Sequence, residues 1–536
     1  VLGILALVVS SLQVGLQAAD ALPVPSHLER SDPRSKIGSL LRAFLDQAPA
    51  VHGVDPRLRA LAVPTRVDGA IPLRLDLEVS AAALRRIAGT GAQITEVSAR
   101  WSSVAIEATS SQIEVLALMP EVRAIALRRP PVHHGQPGTY SNQADSVLHT
   151  DQVRVLHGVS GAGQTIGLIS DSIHDTAAVQ PGVVTGAQPP FLLTRTAPQL
   201  AGNLPGTISV VDFGTPTEGH SDEGEALIEE CYHLAPDAGY AFSADGGSQT
   251  GMAGNIASLR SLCGCTVIGD DLSFLDEPMF QDGPIAQAAE AFVAAGGVYL
   301  ASAGNTSDAG ILMPFDLDAQ SNLHDWGGGL GDYLPINISA GTTLTIVLQW
   351  SQPYQSFHLG PGAQSDLDLA LYSVLHGFPS QLLAASSDSQ GTGGAPGGDP
   401  VEVLQFTNNG ASTNTYDLAI PYQHGLTSLT LRLVASVSSG SFSSPAPGFF
   451  KDATSYGHAT ASSVLAVGAA FYQNPTVLEP FSAKGGWGTS GIPFYFDSTG
   501  NALVNAPVLR NKPDLVGPDG VHTSVFGTPI EGDPSG

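Results

Sequence analysis

Between Thr165 and Ala303 the chain alternates apolar strand-like runs with helical stretches, and the same alternation resumes near 462 after a helix-free break. That interrupted alternation limits the possible folds more than any other feature. TIGLIS (165–170), TISVV (207–211), GYAFSA, TVIG and VYLASA read as strands. The stretch from about Asp222 to His233, GNIASLRSL and GPIAQAAEAFVAAGG read as helices. Strands alternating with helices define a parallel sheet covered on both faces. On such sheets, ligands and catalytic groups collect at the carboxyl ends of the strands. From about 320 to 447 the helices vanish. TLTIVLQW, LDLALY, EVLQF, TYDLAI and LTLRLVAS are short strands between Gly-, Ser- and Asn-rich turns, the pattern of an all-β sandwich. SSVLAVGAA (462–470) then returns to a buried strand. The expected fold class is α/β, a doubly wound parallel sheet with an inserted all-β sandwich.

A separate pattern precedes the sheet. IPLRLDLEV (71–79) alternates strictly, with Ile71, Leu73, Leu75, Leu77 and Val79 on one face of a strand. Ser80 can cap a helix over AAALRRIAG; strand-like QITEVS and WSSVAIEA follow. A helix from Ser110 or Ser111 through Leu118 stops at Pro120, and VRAIAL (122–127) closes the unit. The order β-α-β-β-α-β is that of a ferredoxin-like unit. A short amphipathic helix is expected over Lys36 to Gln47, and Arg128 to Tyr140 reads as a linker. The opening VLGILALVVSSLQVGLQAADA pairs an apolar run with the small-x-small pattern Ala19-Asp20-Ala21, as in a secretory signal peptide; a buried N-terminal strand is the plainer alternative. Both ends read as cut.

Composition narrows the function. With 22 Lys and Arg against 49 Asp and Glu, the 536-residue chain carries a formal charge of -27. That excludes the basic face of a nucleic-acid binder and argues against docking on anionic lipid, so neither nucleic acid nor membrane is an expected partner. A hydrophobic share of 43% is ample for a core. The 3 Cys cannot build a disulfide framework, and Cys263 and Cys265 have no partner at zinc spacing; buried thiols, or at most one bridge, are expected.

Three constellations could carry chemistry. Asp171 ends the strand 165–170, where it could orient a base or merely cap a turn. Asn305 ends Ala-Ser-Ala-Gly-Asn at another strand tip, where its amide could donate to an oxyanion, although Gly-Asn alone is usually a turn. EGHSDEGEALIEE places His220, Asp222 and Glu223 at a helix start, where acidic residues are also favoured simply by the helix dipole.

Taken in order, Ile-Ser-Asp171-Ser, Leu-Ala-Pro236-Asp-Ala, Ala-Ser-Ala-Gly-Asn305 and Lys512-Pro-Asp-Leu-Val-Gly-Pro-Asp resemble the subtilisin-like serine proteases. DEGEAL and DDLSFLDEPMFQDGPIAQA (270–288) resemble a secreted bacterial branch with a β insert. The resemblance implies a signal peptide over 1–21 and a propeptide with its linker over 22–145, acting as intramolecular chaperone and inhibitor. It further implies a catalytic domain over 146–320 and 448–536, split by a β-sandwich module over 321–447. It implies a secreted endopeptidase precursor acting on protein or peptide substrates, with Asp171 orienting the base and Asn305 stabilising the oxyanion.

Two departures from the family pattern stand out. Where subtilisins carry His-Gly-Thr-His, this chain has Glu223-Gly224, which resembles the Glu base of the acid-active sedolisins. Sedolisins also carry Asp where Leu227 and Asn305 stand, so the site reads as mixed, with His220 as the rival base. The nucleophile motif Gly-Thr-Ser-x-Ala-x-Pro is missing; Thr523-Ser524 is followed by Val-Phe-Gly, and Gly527-Thr528 by Pro529. The chain is therefore expected to stop short of the nucleophile and to be catalytically silent as it stands. Strands 165–170 and 298–302 should then lack cover on an apolar face. A non-catalytic scaffold whose β module binds proteins or glycans is the alternative. No cofactor is expected. Calcium could use Asp366 and Asp368, two apart on one strand face; a solvated strand edge is the other reading.

Overall fold

The computed structural model describes residues 32–39, 41, 42, 45, 70–128, 132–133, 143–174, 183–186, 188–214, 221–391, 395–438, 440–446, 448–485 and 491–523. The segment expected to be a signal peptide lies outside them, as do residues 40, 43, 44, 46 and 47 of the helix expected over 36–47.

The N-terminal unit is a 4-stranded antiparallel sheet of β1 (Ile71–Leu77), β2 (Gln93–Ser98), β3 (Ser103–Ala108) and β4 (Val122–Leu127), in the order β2-β3-β1-β4. The alternation in β1 puts Ile71, Leu73, Leu75 and Leu77 into one core with Ile87 and Ile113 from the helices Ala81–Gly89 and Ser110–Ala117. Ser80 caps the first helix by accepting from the Ala83 amide. Arg74 and Asp76, on the other face of β1, meet the rest of the molecule. The stretch read as a linker is not structureless: β5 (Val132–His133) lies within it.

The largest sheet has 9 strands. In chain order they begin with β6 (Thr165–Ser170), β7 (Val183–Thr185), β8 (Phe191–Thr194), β9 (Ile208–Asp212), β10 (Gly239–Ala244), β11 (Val267–Asp270) and β13 (Val298–Ser302); β12 (Leu272–Ser273) stands outside the sheet. Two late strands, Leu465–Phe471 and Leu515–Asp519, complete the sheet beside β13, and β7-β8 form an antiparallel border at the opposite edge. From β9 to Leu515–Asp519 every pairing is parallel. Helices Gln249–Cys263 and Pro284–Ala294 send Met252, Ile256, Leu259, Ile285 and Phe292 against Ile169, Ile268 and Tyr299 on one face. Helix Glu223–Leu234 sends Ile228 against Leu168, Val210 and Phe242 on the other. Strand β6 is thus covered on both faces, contrary to the expectation of a bare one. At the start of β13, Val298 is left exposed.

The interruption is a β-sandwich. One sheet pairs Gly310–Pro314, Thr430–Val437, Thr343–Trp350 and Val401–Thr407; the other pairs Phe378–Ser386, Leu369–Leu375, Asn414–Ala419, Leu334–Ile338 and Phe442–Ser443. Leu344, Ile346, Leu348 and Trp350 face Leu334, Ile336, Leu369 and Leu418 across a closed core. The sandwich starts at Gly310, before the boundary expected at 321, because its first strand pairs with Thr430–Val437. Buried Arg432 ties it to the α/β part by donating to the carbonyls of Met279, Ala453 and Ser455. Burial lowers the Arg432 guanidinium to about 10.

Asp366 and Asp368 do not form a solvated edge. Both are buried; Asp368 accepts from Gln423 at 2.7 Å, and Asp366 lies 3.6 Å from His424 Nε2. Among the described residues no three His, Cys, Asp or Glu side chains come together as a metal-ligand set. The cysteines are free thiols, with Cys265 buried and Cys231 and Cys263 partly so. Among the described residues no helix is long and apolar enough to cross a membrane.

Candidate functional site

The site forms at the carboxyl ends of β6, β11 and β13. Asp171 follows β6 and is only 1% exposed. Its Oδ1 accepts from the amides of Ser172 at 2.5 Å and Glu223 at 3.1 Å. Its Oδ2 accepts from the Ser221 amide at 2.5 Å and the Ser221 hydroxyl at 2.8 Å. The carboxylate therefore sits on the N-terminal amides of helix Glu223–Leu234, where backbone donors and the helix dipole both favour negative charge. Asp222, with φ of 59°, makes the turn into that helix and is held through the Ser172 hydroxyl. Gly224 is required next to it: a Cβ there would fall 2.1 Å from the Phe242 ring and 2.7 Å from the Ser172 carbonyl.

The Glu223 side chain turns inward, 3% exposed, and accepts from the Ser170 hydroxyl at 3.1 Å. Ser170 is itself buried in the sheet, so this hydroxyl orients Glu223 and has no access to a substrate. Asp271, between β11 and β12, bonds to Glu223 through its side chain. Burial, then the charge of Glu223 and the bond to it, then Asp270 and Asp171, push the Asp271 carboxyl well above the usual carboxylate range. Two carboxyl groups in contact share a proton, because two charges this close and this dry are unfavourable. Further along the helix, burial followed by Asp222 and Glu229 raises Glu225 to about 7. Burial followed by Asp519, Glu229 and Glu223 raises Glu230 to about 8.

Beside this cluster runs the short edge strand β12. The chain's own β5 pairs with it antiparallel, His133 opposite Leu272 and Val132 opposite Ser273. Asn305, exposed, follows β13 in the turn Ala303–Gly304–Asn305. Gly304, with φ of 99°, brings that turn against β12: a Cβ on it would lie 3.9 Å from the Ser273 hydroxyl.

The structure thus brings Asp171 and Glu223 together and puts Asn305 on the turn next to the edge strand. His220 lies outside the described residues, as does Ser524. Sequence reasoning missed Asp271, although the doubled acid in Gly-Asp-Asp at a strand end was a signal. It also missed His458, which meets Asp270 from beyond the sandwich at 3.0 Å.

No protein-family model matches the chain, and no curated protein does. Among solved structures, the CspB protease of Clostridium perfringens aligns with 70% of this chain and 80% of its own, at 12% identity and a TM-score of 0.37. Fervidolysin from Fervidobacterium pennivorans, a keratinolytic enzyme related to subtilisin, aligns with 65% of this chain and 54% of its own, at 12% identity and a TM-score of 0.23. The epidermin leader peptide processing serine protease of Staphylococcus aureus aligns with 44% of this chain and 60% of its own, at 11% identity and a TM-score of 0.28. These neighbours are proteases; likenesses this partial assign no activity to the chain.

Proposed function

We propose that this protein is the precursor of an endopeptidase of the subtilisin-like serine class, secreted and held inactive by its own N-terminal unit. The observation that carries the reading is the antiparallel seat of β5 on β12, next to the Asp271–Glu223 pair. An edge strand that accepts an extended segment through backbone hydrogen bonds recognises a polypeptide irrespective of side chains. A carboxylate primed as a proton acceptor beside that seat supplies the general base that peptide hydrolysis needs.

In this reading Asp171 fixes the start of the Glu223 helix, and Glu223 accepts the proton of the attacking serine hydroxyl. The Asn305 amide donates to the carbonyl oxygen as it gains charge. Glu223 gives that proton to the leaving amine as the seryl ester forms; it then accepts a proton from the attacking water and returns it to the serine oxygen as the ester is hydrolysed. The nucleophile is none of these side chains. The N-terminal unit supports the inhibitory part of the reading through contacts with the α/β part. Glu96 accepts from the hydroxyls of Ser248 and Thr250 at 2.8 and 2.7 Å, and Arg128 donates to the carbonyls of Gly246 and Gly247.

Expression of the gene's whole reading frame tests the proposal. The protein should release its N-terminal unit by cleavage within 128–150, cut casein at pH 4 to 5, and react with a fluorophosphonate probe at one serine. A mature product that still carries IPLRLDLEV, with no probe labelling, would overturn it.

A further inference from the structure

His458 lies on the short turn Gly457–Thr460, just after the sandwich, and is 1% exposed. Its ring spans two carboxylates: Nδ1 is 2.9 Å from Glu277 Oε1, and Nε2 is 3.0 Å from Asp270 Oδ1. Its backbone amide donates to Glu277 Oε2 at 2.7 Å. Gly457, with φ of 64°, permits this approach, since a Cβ there would fall 2.6 Å from the Glu277 carboxyl carbon. Asp270 and Glu277 are the two ends of the segment that holds Asp271 and β12. Each also grips the backbone between them: Asp270 accepts from the Leu272 amide at 3.2 Å, and Glu277 from the Phe274 amide at 3.4 Å. From the sandwich side, Gln349 accepts from the Met279 amide at 2.8 Å and donates to the Glu277 carbonyl at 2.7 Å.

We infer that His458 is a positioning residue: by bridging Asp270 and Glu277 it fixes the loop that presents the β12 edge to an extended peptide and Asp271 to Glu223. The peptide half of this statement rests on the proposed function. Burial alone would lower the ring's pKa, but the charges of Glu277 and Asp270 and their hydrogen bonds outweigh it and hold the ring protonated. The groups facing the clamp are Glu277 from the loop, Asp270 from β11 and Tyr299 from β13. With both ring nitrogens donating in opposite directions, one side chain closes the loop at both ends, which a neutral imidazole, with a single N–H, cannot do.

Amide hydrogen exchange on the full chain tests this without turnover. In His458→Gln, exchange at Leu272 and Ser273 should rise about tenfold or more, the scale set by losing a buried hydrogen bond to a charged group. Exchange in β6 and β10 should stay as in the wild type. If that variant does not fold, Glu277→Gln, which keeps a hydrogen-bonding side chain in place, should show the same local rise at smaller size. Unchanged exchange at β12, or an equal rise throughout β6 and β10, would overturn the inference. Because no catalysis is measured, an inactive protein would sink the proposed function and leave this result standing, and the reverse also holds.

Discussion

Two groups of buried carboxylates meet at neighbouring residues of one loop, and they are balanced in opposite ways. Asp270 and Glu277 flank His458, so their negative charge is met by a cation that donates to both. Asp271 turns the other way, toward Glu223 and Asp171, and its carboxyl is raised by burial and by their charges. Burying a charge is tolerated when it is paired; otherwise the group takes up a proton. The first group is ion-paired to one side chain and serves as a frame. The second is a pair of carboxyl groups in contact, which the proposed acid–base chemistry would use. Adjacent residues, Asp270 and Asp271, thus divide into frame and chemistry.

The largest effect expected from breaking this contrast is on turnover. In the product of the whole reading frame, Glu223→Gln should lower kcat by about 10² to 10⁴, the usual contribution of a general base. Asp271→Asn keeps a donor toward Glu223 and removes the titration, so it should retain more activity while shifting the acid limb of the rate profile. Steady-state rates from pH 3 to 8 separate the two. Full activity in Glu223→Gln, with loss in His220→Ala, would move the base to His220.

The frame should be tested by stability. His458→Leu removes the cation and leaves both carboxylates buried against an apolar side chain. Breaking a buried charge pair in this way costs about 3 to 5 kcal/mol. Urea unfolding at pH 7 should show that loss. A loss below about 1 kcal/mol would mean that the clamp is ordinary packing.

What the sequence disclosed and what it hid follow the same division. The alternation in IPLRLDLEV and the strands ending at Ser170 and Ser302 were legible, because period and burial are local properties. Asp171 and Glu223 were legible as a pair only through a resemblance, since their contact joins a strand tip to a helix start. His458 carried no local sign: its partners lie on the far side of the sandwich in the chain, and the close approach depends on Gly457. Strand β5 was hidden for another reason. PPVHHGQPG has the composition of a linker, and the strand exists by addition to the β12 edge rather than by its own propensity. Asp366 and Asp368 looked like an exposed edge because alternation does not say which face the second sheet of a sandwich will cover.

The pH dependence of folding should carry the same signature at intermediate size. Glu225 and Glu230, ordinarily near 4.5, stand at about 7 and about 8 in the fold. Asp271 is also raised. From about pH 4.5 upward, the native state holds protons that the unfolded chain has released, so stability falls as pH rises toward about 8. His458 acts in the same direction, since its raised pKa gives stability that is full below its ordinary 6.5 and lost as the pH passes its folded value. Unfolding free energy should therefore be higher near pH 5 than near pH 8, by a few kcal/mol in order of magnitude. In Glu225→Gln the slope between pH 5 and 7 should flatten. A protein most stable at pH 8 would contradict the buried-proton account.

The smallest expected effect concerns how the N-terminal unit is held. Ser248 caps helix Gln249–Cys263 by accepting from the Gly251 amide at 2.9 Å, and it also donates to Glu96 of β2 at 2.8 Å. Glu96 accepts a second hydrogen bond from Thr250, so its charge lies over the helix N-terminus. Ser248→Ala should cost about 1 kcal/mol of stability as a lost cap. Glu96→Gln should cost less, because the amide oxygen can still accept one of the two bonds. Their combination separates the two roles of the hydroxyl. If cap and dock are independent the losses add; if the docked carboxylate orients the hydroxyl for capping, the double variant loses less than the sum. The docking contact is not carried by Glu96 alone, since Arg74 of β1 bonds to Asp276 at 3.1 Å and lies over the Phe357 ring at 4.6 Å. Trypsin cleavage after Arg128, whose side chain lies at the same junction, should accordingly rise only a few-fold in Glu96→Gln, the change that about 1 kcal/mol allows. A rise of a hundredfold would mean that this single carboxylate, rather than the wider contact with Arg74, holds the N-terminal unit in place.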